Sequence, residues 1–217
     1  MEPADTAARA RQRDLVRRGY DAISVMYRGD DGESAPASAE GVARYAGWVD
    51  ELAGLVPPGA RVLDLGCGAG IPATRELAAN GLKVLGVDFS AVQVRRARRL
   101  VPAAGIVQAD MTELSLQPGS LDAVVSFYAL IHVPLADQQV LFPRIRRWLR
   151  PGGYALVIVG ADRWTGTEQY LGATMFWDHA DTDTYLRWLQ AAGLAPVWHR
   201  YIPEGDTGHS LILARAA

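Results

Sequence analysis

Val62-Leu63-Asp64-Leu65-Gly66-Cys67-Gly68-Ala69-Gly70 sets apolar residues around one aspartate and then places glycine at every second position. Residues 61–65 have the composition of a short buried strand. The glycines let the backbone turn tightly and approach a ligand where a β-carbon would intrude. Ile71-Pro72 follows, and proline suits a first helical turn because its missing N–H would be unpaired there anyway. Strand, glycine turn and helix together make a cofactor cradle at the carboxyl edge of a sheet.

Outward from this cradle the chain alternates. Helices are expected over 72–79, 91–100 and 135–149, with strands over 83–88, 105–108, 122–127 and 154–159. Asn80-Gly81 closes the first of these helices, Ser90 caps the second, and Pro151-Gly152-Gly153 stops the third. Such alternation implies a parallel sheet with helices on both faces. Residues 182–192 form a last helix, and 195–202 with 210–214 suit an antiparallel hairpin at the sheet edge. Before the cradle, 7–27 and 39–55 read as amphipathic helices around a polar loop over 29–38. The division expected is a single domain over 1–217, with a helical lid in 1–57, a cofactor-binding core in 58–160 and a substrate-side segment with the hairpin in 161–217.

The bulk numbers prune partners. A formal net charge of −2 favours neither nucleic acid nor an anionic membrane. The sets Arg95-Arg96 with Arg98-Arg99, and Arg144 with Arg146-Arg147, fall on expected helices and read as solvated faces. Cys67 is the single cysteine, which excludes an internal disulfide and points to a reducing, cytoplasmic setting. No apolar run is long enough for a membrane helix, and the charged N-terminus lacks a signal-peptide core.

Two further acidic positions narrow the cofactor. Asp88 ends the second strand, where a carboxylate can accept from both hydroxyls of a ribose. Asp110-Met111 follows the third strand, where the acid can accept from an adenine amino group and the methionine can pack on the ring. With these in place the chain resembles the class I S-adenosylmethionine-dependent methyltransferases. The matching pieces are Asp64-Leu-Gly-Cys-Gly-Ala-Gly70, Gly86-Val-Asp88-Phe-Ser90, Gln108-Ala-Asp110-Met111, Phe127-Tyr-Ala-Leu-Ile-His132 and Leu149-Arg-Pro151-Gly-Gly153. The resemblance implies an α/β, three-layer Rossmann-like sandwich whose mostly parallel seven-stranded sheet ends in an antiparallel strand. It places Gly66, Cys67, Gly68 and Gly70 at the methionine part of the cofactor, Asp64 near its amino group, Asp88 on the ribose and Asp110 with Met111 on the adenine. Phe89, Gln93 and Phe127 complete the set, and Tyr20 and Tyr27 resemble aromatic lid residues of small-molecule members, with plain helix packing as the competing reading.

On the substrate side, His132 follows the fourth strand and is the candidate general base; holding the loop by hydrogen bonds is the other reading. Tyr128, Trp164, Tyr170, Trp177, His179 and His209 are candidates for an apolar, aromatic-lined pocket, several of them on a long lid loop between Gly160 and Asp181. His179, Asp181, Glu204 and His209 have the types of a metal site but match no tight ligand spacing, so no metal is expected. Ser126-Phe-Tyr-Ala129 lacks the motif of base-amino methyltransferases, and a glycine-turn cysteine cannot serve cytosine chemistry, so the expected acceptor is a small metabolite methylated on O, N or C. Two rivals stay open: a methyltransferase-fold protein that keeps the cofactor as scaffold, as a cyclase or binding subunit, and a nicotinamide oxidoreductase, against which stands the absence of a Tyr-x-x-x-Lys pair.

Overall fold

The computed structural model describes residues 3–30 and 39–217, so most of the expected 29–38 loop lies outside the described residues. Helices α1 (Pro3–Tyr27) and α2 (Ala39–Ala53) precede β1 (Arg61–Leu65), α3 (Ala73–Ala79), β2 (Lys83–Asp88), α4 (Ala91–Leu100), β3 (Gly105–Gln108), β4 (Leu121–Ser126), α5 (Leu135–Trp148) and β5 (Leu149–Gly160). Then come β6 (Trp164–Tyr170), β7 (Ala173–His179), α6 (Thr182–Ala191), β8 (Leu194–Glu204) and β9 (Thr207–Ala216).

Seven strands form the main sheet in the order β3-β2-β1-β4-β5-β9-β8. Strand β9 alone runs against the others, pairing antiparallel with both β5 and β8. The expected hairpin is therefore present, but only β8 is an edge strand, because β9 inserts beside β5. Parallel pairing of β1 with β2 and β4 brings Leu65, Asp88 and the residues after Ser126 to one carboxyl edge. A ligand crevice belongs at that edge, where the chain order reverses.

Alternation along each strand sorts the core into two layers. Leu63, Leu65 and Val124 pack with Phe142, Ile145 and Trp148 of α5 and Tyr185 of α6. Val62, Ala123 and Val125 pack on the other face with Val49 and Leu52 of α2 and Leu77 of α3. Asp64 shares the second face, and its carboxylate accepts from the Thr74 hydroxyl at 2.6 Å.

Two expectations are corrected. The segment between Gly160 and Asp181 is a two-stranded hairpin, β6–β7, closed by Leu171 and Gly172 with φ of 51° and 86°. Positive φ at both central residues is the type I′ signature, but Leu-Gly lacks the Asn or Asp that announces it, and β6 is almost wholly polar. Arg96 is a buried clamp and no part of a solvated face. Its guanidinium donates to the Ser24 carbonyl at 2.6 Å, the Arg28 carbonyl at 2.5 Å and the Asp30 carboxylate at 2.8 Å.

That clamp holds the end of α1 against α4. Ser90, which caps α4 by accepting from Gln93 N–H, also donates its hydroxyl to Asp21 of α1 at 2.6 Å. Arg9 and Arg13 pair with Asp137 of α5, Arg13 at 2.6 Å. Gly19 lets α1 lie directly on β7: a β-carbon there would sit 2.4 Å from Met175 Sδ. Helix α1 and the β6–β7 hairpin thus cover the carboxyl edge together.

Candidate active site

Two cavities and a recess meet under this cover. The first is lined by Tyr20, Tyr27, Gly66, Gly68, Asp88, Phe89, Gln93, Asp110, Met111 and Phe127. All ten are residues the sequence assigns to the cofactor. The glycine turn closes by hydrogen bonds from Gly66 and Cys67 N–H to the Val87 carbonyl. Gly66 has φ +75°, and a β-carbon on it would lie 2.1 Å from that of Ala129, so only glycine fits. Gly70 has a different role: it lines neither cavity, and its bare α-carbon admits Val101 and Ala97 beside the turn.

Asp88 is oriented by backbone donors, Gly68 N–H at 2.9 Å and Ser90 N–H at 2.8 Å. Burial pushes its pKa up to about 6. Asp110 accepts from the Thr112 N–H and hydroxyl, both at 2.8 Å, and pairs with Arg13 of the lid at 3.0 Å.

The recess lies on the other side of the turn, lined by Asp64, Cys67, Gly68, Tyr27, Arg28 and Tyr45 among others. Asp64 is fully buried with no cation beside it among the described residues, and burial pushes its pKa up to about 7. Burial likewise raises the Cys67 thiol far out of reactive range, so Cys67 packs and does not react. Arg28 was not among the residues the sequence pointed to. Only 6% exposed, it leaves Nε and Nη1 with no hydrogen-bond partner, while its guanidinium lies 5.4 Å from the Tyr27 ring and 5.8 Å from that of Tyr45. A helix-end arginine has no local signature; only the tertiary structure brings it to the glycine turn.

The second cavity, about 410 Å³, is lined by Tyr27, Tyr45, Trp48, Tyr128, Tyr170 and Trp177, with His132, Arg28, Arg44, Glu204 and His209. It shares Tyr20, Tyr27, Tyr128 and His132 with the first, which sets an aromatic-walled chamber beside the cofactor cradle. Tyr45 and Trp48 come from α2 and were not anticipated. Trp164 and His179 were, but neither lines the chamber. Trp164 packs behind Trp177 at 6.0 Å between ring centroids, and His179 Nδ1 donates to the Asp162 carbonyl at 2.6 Å. Of His179, Asp181, Glu204 and His209, Asp181 stands apart, capping α6 by accepting from Thr184 N–H, while Glu204 lies beside His209 and the His179 ring is 6.4 Å from that of His209. No cluster of three metal-binding side chains occurs among the described residues.

His132 is fully committed inside the protein. Its Nδ1 lies 2.7 Å from the Phe176 carbonyl, which can only accept, so Nδ1 carries the proton and Nε2 accepts from the Tyr20 hydroxyl at 2.9 Å. Burial holds its pKa down at about 4. Both nitrogens are used and the ring is a weak base, so the geometry assigns it to positioning, tying α1 to β7, and against proton removal. Tyr128 stands where the two cavities meet, in the left-handed region at φ 60°. Such strain in a non-glycine residue is kept only where surrounding structure holds it.

Comparison with known proteins fits this geometry. A methyltransferase-domain family profile matches residues 62–153. The ubiquinone biosynthesis O-methyltransferase of Paracidovorax citrulli is 31% identical over 196 residues, covering 77% of this chain and 80% of that protein. The sterol 24-C-methyltransferase ERG6B of Gibberella zeae is 33% identical over 163 residues, and this chain spans only 40% of its length. Several other matched relatives are likewise covered over less than half their length. The crystal structure of the 4+2 cyclase SpnF superimposes with a TM-score of 0.73 at 20% identity over 92% of this chain and 94% of that one, a likeness of fold. No helix among the described residues is long and apolar enough to cross a membrane. A glycine turn with Asp64 behind it, Asp88 and Asp110 beside it, and relatives matched across the fold together lead to one conclusion: the chain belongs to the S-adenosylmethionine-dependent methyltransferase family.

Proposed function

We propose that this protein transfers the methyl group of S-adenosylmethionine to a small organic acceptor held in the aromatic chamber. The observation that carries the reading is the pair of buried, uncompensated charges at the glycine turn. Among the described residues Asp64 lacks a cation, and Arg28 lacks an anion for two of its guanidinium nitrogens. An amino-acid zwitterion supplies both: its ammonium would suit Asp64 and its carboxylate would suit Arg28. Asp88 would take the ribose of the same molecule, and Met111 with Asp110 the adenine, in the first cavity.

The bound cofactor supplies an electrophilic sulfonium methyl, so the protein's task is alignment and exclusion of water. Holding two reactants in line contributes several kcal/mol of barrier reduction. Tyr20 and Tyr27 on α1 roof the boundary between the two cavities, and His132 locks Tyr20 to β7. The acceptor would lie against Tyr128, Tyr170 and Trp177, which present flat, polarisable walls.

Calorimetry with S-adenosylhomocysteine and with NAD tests the reading. Binding of the first alone, lost in Asp88→Ala, is expected; binding of NAD in its place would overturn it. Release of S-adenosylhomocysteine on turnover then distinguishes methyl transfer from chemistry in which the cofactor is only a scaffold.

A further inference from the structure

We infer that His209, oriented by Glu204, is the general base of this site and that the acceptor is a hydroxylated aromatic compound; this rests on the methyl-transfer reading above. His209 lies on β9 opposite Gly160 of β5 and Ile202 of β8, so two strands fix its position. Glu204 ends β8, and its Oε2 lies 3.3 Å from His209 Nδ1. A carboxylate on that side favours the tautomer with the proton on Nδ1, which leaves Nε2 free to accept. His209 Nδ1 is buried and makes no hydrogen bond among the described residues. The contact is long for a hydrogen bond, as catalytic contacts often are before substrate is bound.

The groups around the ring agree with this assignment. Glu204 also faces the Tyr128 hydroxyl. Burial pushes its carboxyl up, but the neighbouring His209 and Tyr128 outweigh this and hold it below the usual range. The Tyr128 ring packs edge-on to His209 at 5.2 Å, so the dyad adjoins the residue that separates cofactor cradle from chamber. The other charged or titratable groups facing it are His179, with ring centroids 6.4 Å apart, and Arg28 and Arg44 across the chamber. His132, the other imidazole in the chamber, already spends both nitrogens on Tyr20 and Phe176.

A base is needed when the nucleophile carries a proton that must leave as the bond forms. An aromatic hydroxyl is such a nucleophile, and seven aromatic side chains in the walls suit its ring. The acceptor oxygen passes its proton to His209 Nε2 and forms the new bond to the methyl carbon. The electron pair of the broken sulfur–carbon bond stays on sulfur, and the imidazolium returns its proton to water.

Two probes separate a chemical from a structural role: 2-naphthol, which must be deprotonated, and 4-nitrophenol, largely ionised above neutral pH. The readouts are S-adenosylhomocysteine release from pH 6 to 10 and calorimetric binding of S-adenosylhomocysteine by the full chain. In His209→Gln, turnover of 2-naphthol at pH 7 should fall about 100-fold or more, within the range of general base catalysis, while 4-nitrophenol above pH 8 loses only a few-fold. In Glu204→Gln the carboxylate that orients the ring is lost, so turnover of 2-naphthol should fall while that of 4-nitrophenol above pH 8 changes little. Equal losses on both probes, or no loss, overturn the base assignment; turnover of aromatic amines but of no phenol by the wild type overturns the substrate class. Failure of the wild type to bind S-adenosylhomocysteine would instead overturn the methyl-transfer reading itself.

Discussion

Arg28→Met should make the cofactor-free protein more stable and nearly abolish cofactor binding. Arg28 is 6% exposed, and two of its guanidinium nitrogens have no acceptor among the described residues. Removing a buried charge of this kind relieves several kcal/mol of desolvation. Contacts with the Tyr27 and Tyr45 rings offset part of that, at about 0.5–2 kcal/mol each. A net gain of about 1 kcal/mol follows, which for a chain of this size raises Tm by roughly 2–4 °C. Methionine keeps the stem between the same rings, and the Arg28 carbonyl that receives Arg96 is untouched. On the binding side, a charge-assisted hydrogen bond contributes about 1.5–3 kcal/mol, and leaving a buried carboxylate unpaired costs about 2–5 kcal/mol. S-adenosylhomocysteine should therefore bind about 30- to 1,000-fold more weakly. Calorimetry with S-adenosylhomocysteine, repeated with 5′-methylthioadenosine, isolates the effect, because the second ligand has no amino-acid carboxylate. Scanning calorimetry of the free protein supplies the stability arm. Loss of both ligands to the same degree, or affinity for S-adenosylhomocysteine within about threefold of wild type, would refute the pairing.

Three further outcomes are expected. Burial raises Asp64 to about 7 and Asp88 to about 6 from 3.8, so the folded protein holds protons the unfolded chain has released. The stability they contribute is complete below 3.8 and lost as pH rises through 6 to 7; His132, lowered from 6.5 to about 4 by burial, acts oppositely, its contribution being lost as pH falls below 6.5. Asp64→Asn keeps an acceptor for Thr74, so it should raise the unfolding free energy at pH 8, by at most about 4 kcal/mol, and change it little below pH 3.8. Gly66→Ala adds a left-handed penalty of roughly 1–2 kcal/mol to a β-carbon 2.1 Å from that of Ala129. It should weaken S-adenosylhomocysteine binding more than 10-fold, and Ala129→Gly in the same chain should recover part of the loss by calorimetry. Arg96→Met removes the clamp on Ser24, Arg28 and Asp30, leaving the Ser24 and Arg28 carbonyls without this donor at a cost of about 3–5 kcal/mol. Hydrogen exchange should then rise first in the last turns of α1.

The cradle was legible from its residues because each constraint there is local. A glycine at φ +75° is demanded by the backbone of that one turn, and an aspartate at the end of β2 is placed by strand geometry alone. The order of strands and helices followed from periodicity, and Ser90 capped α4 as its type and position required. These features depend on neighbours within a few residues, so the sequence by itself determined the fold class, the glycine turn and the acidic positions around it.

What remained for the tertiary structure was every contact made across a long separation. Arg28, Tyr45 and Trp48 reach the site from the N-terminal helices, and nothing in their flanking residues marks them. The pattern could not distinguish an arginine on a solvated face from Arg96, whose acceptors lie about 70 positions away on α1. It proposed His132 as the base from its place after β4, but the Phe176 carbonyl and the Tyr20 hydroxyl are brought to its two nitrogens by β7 and α1. Backbone conformation is governed by nearest neighbours, whereas burial, pairing and proton affinity are set by whatever the fold packs against a side chain.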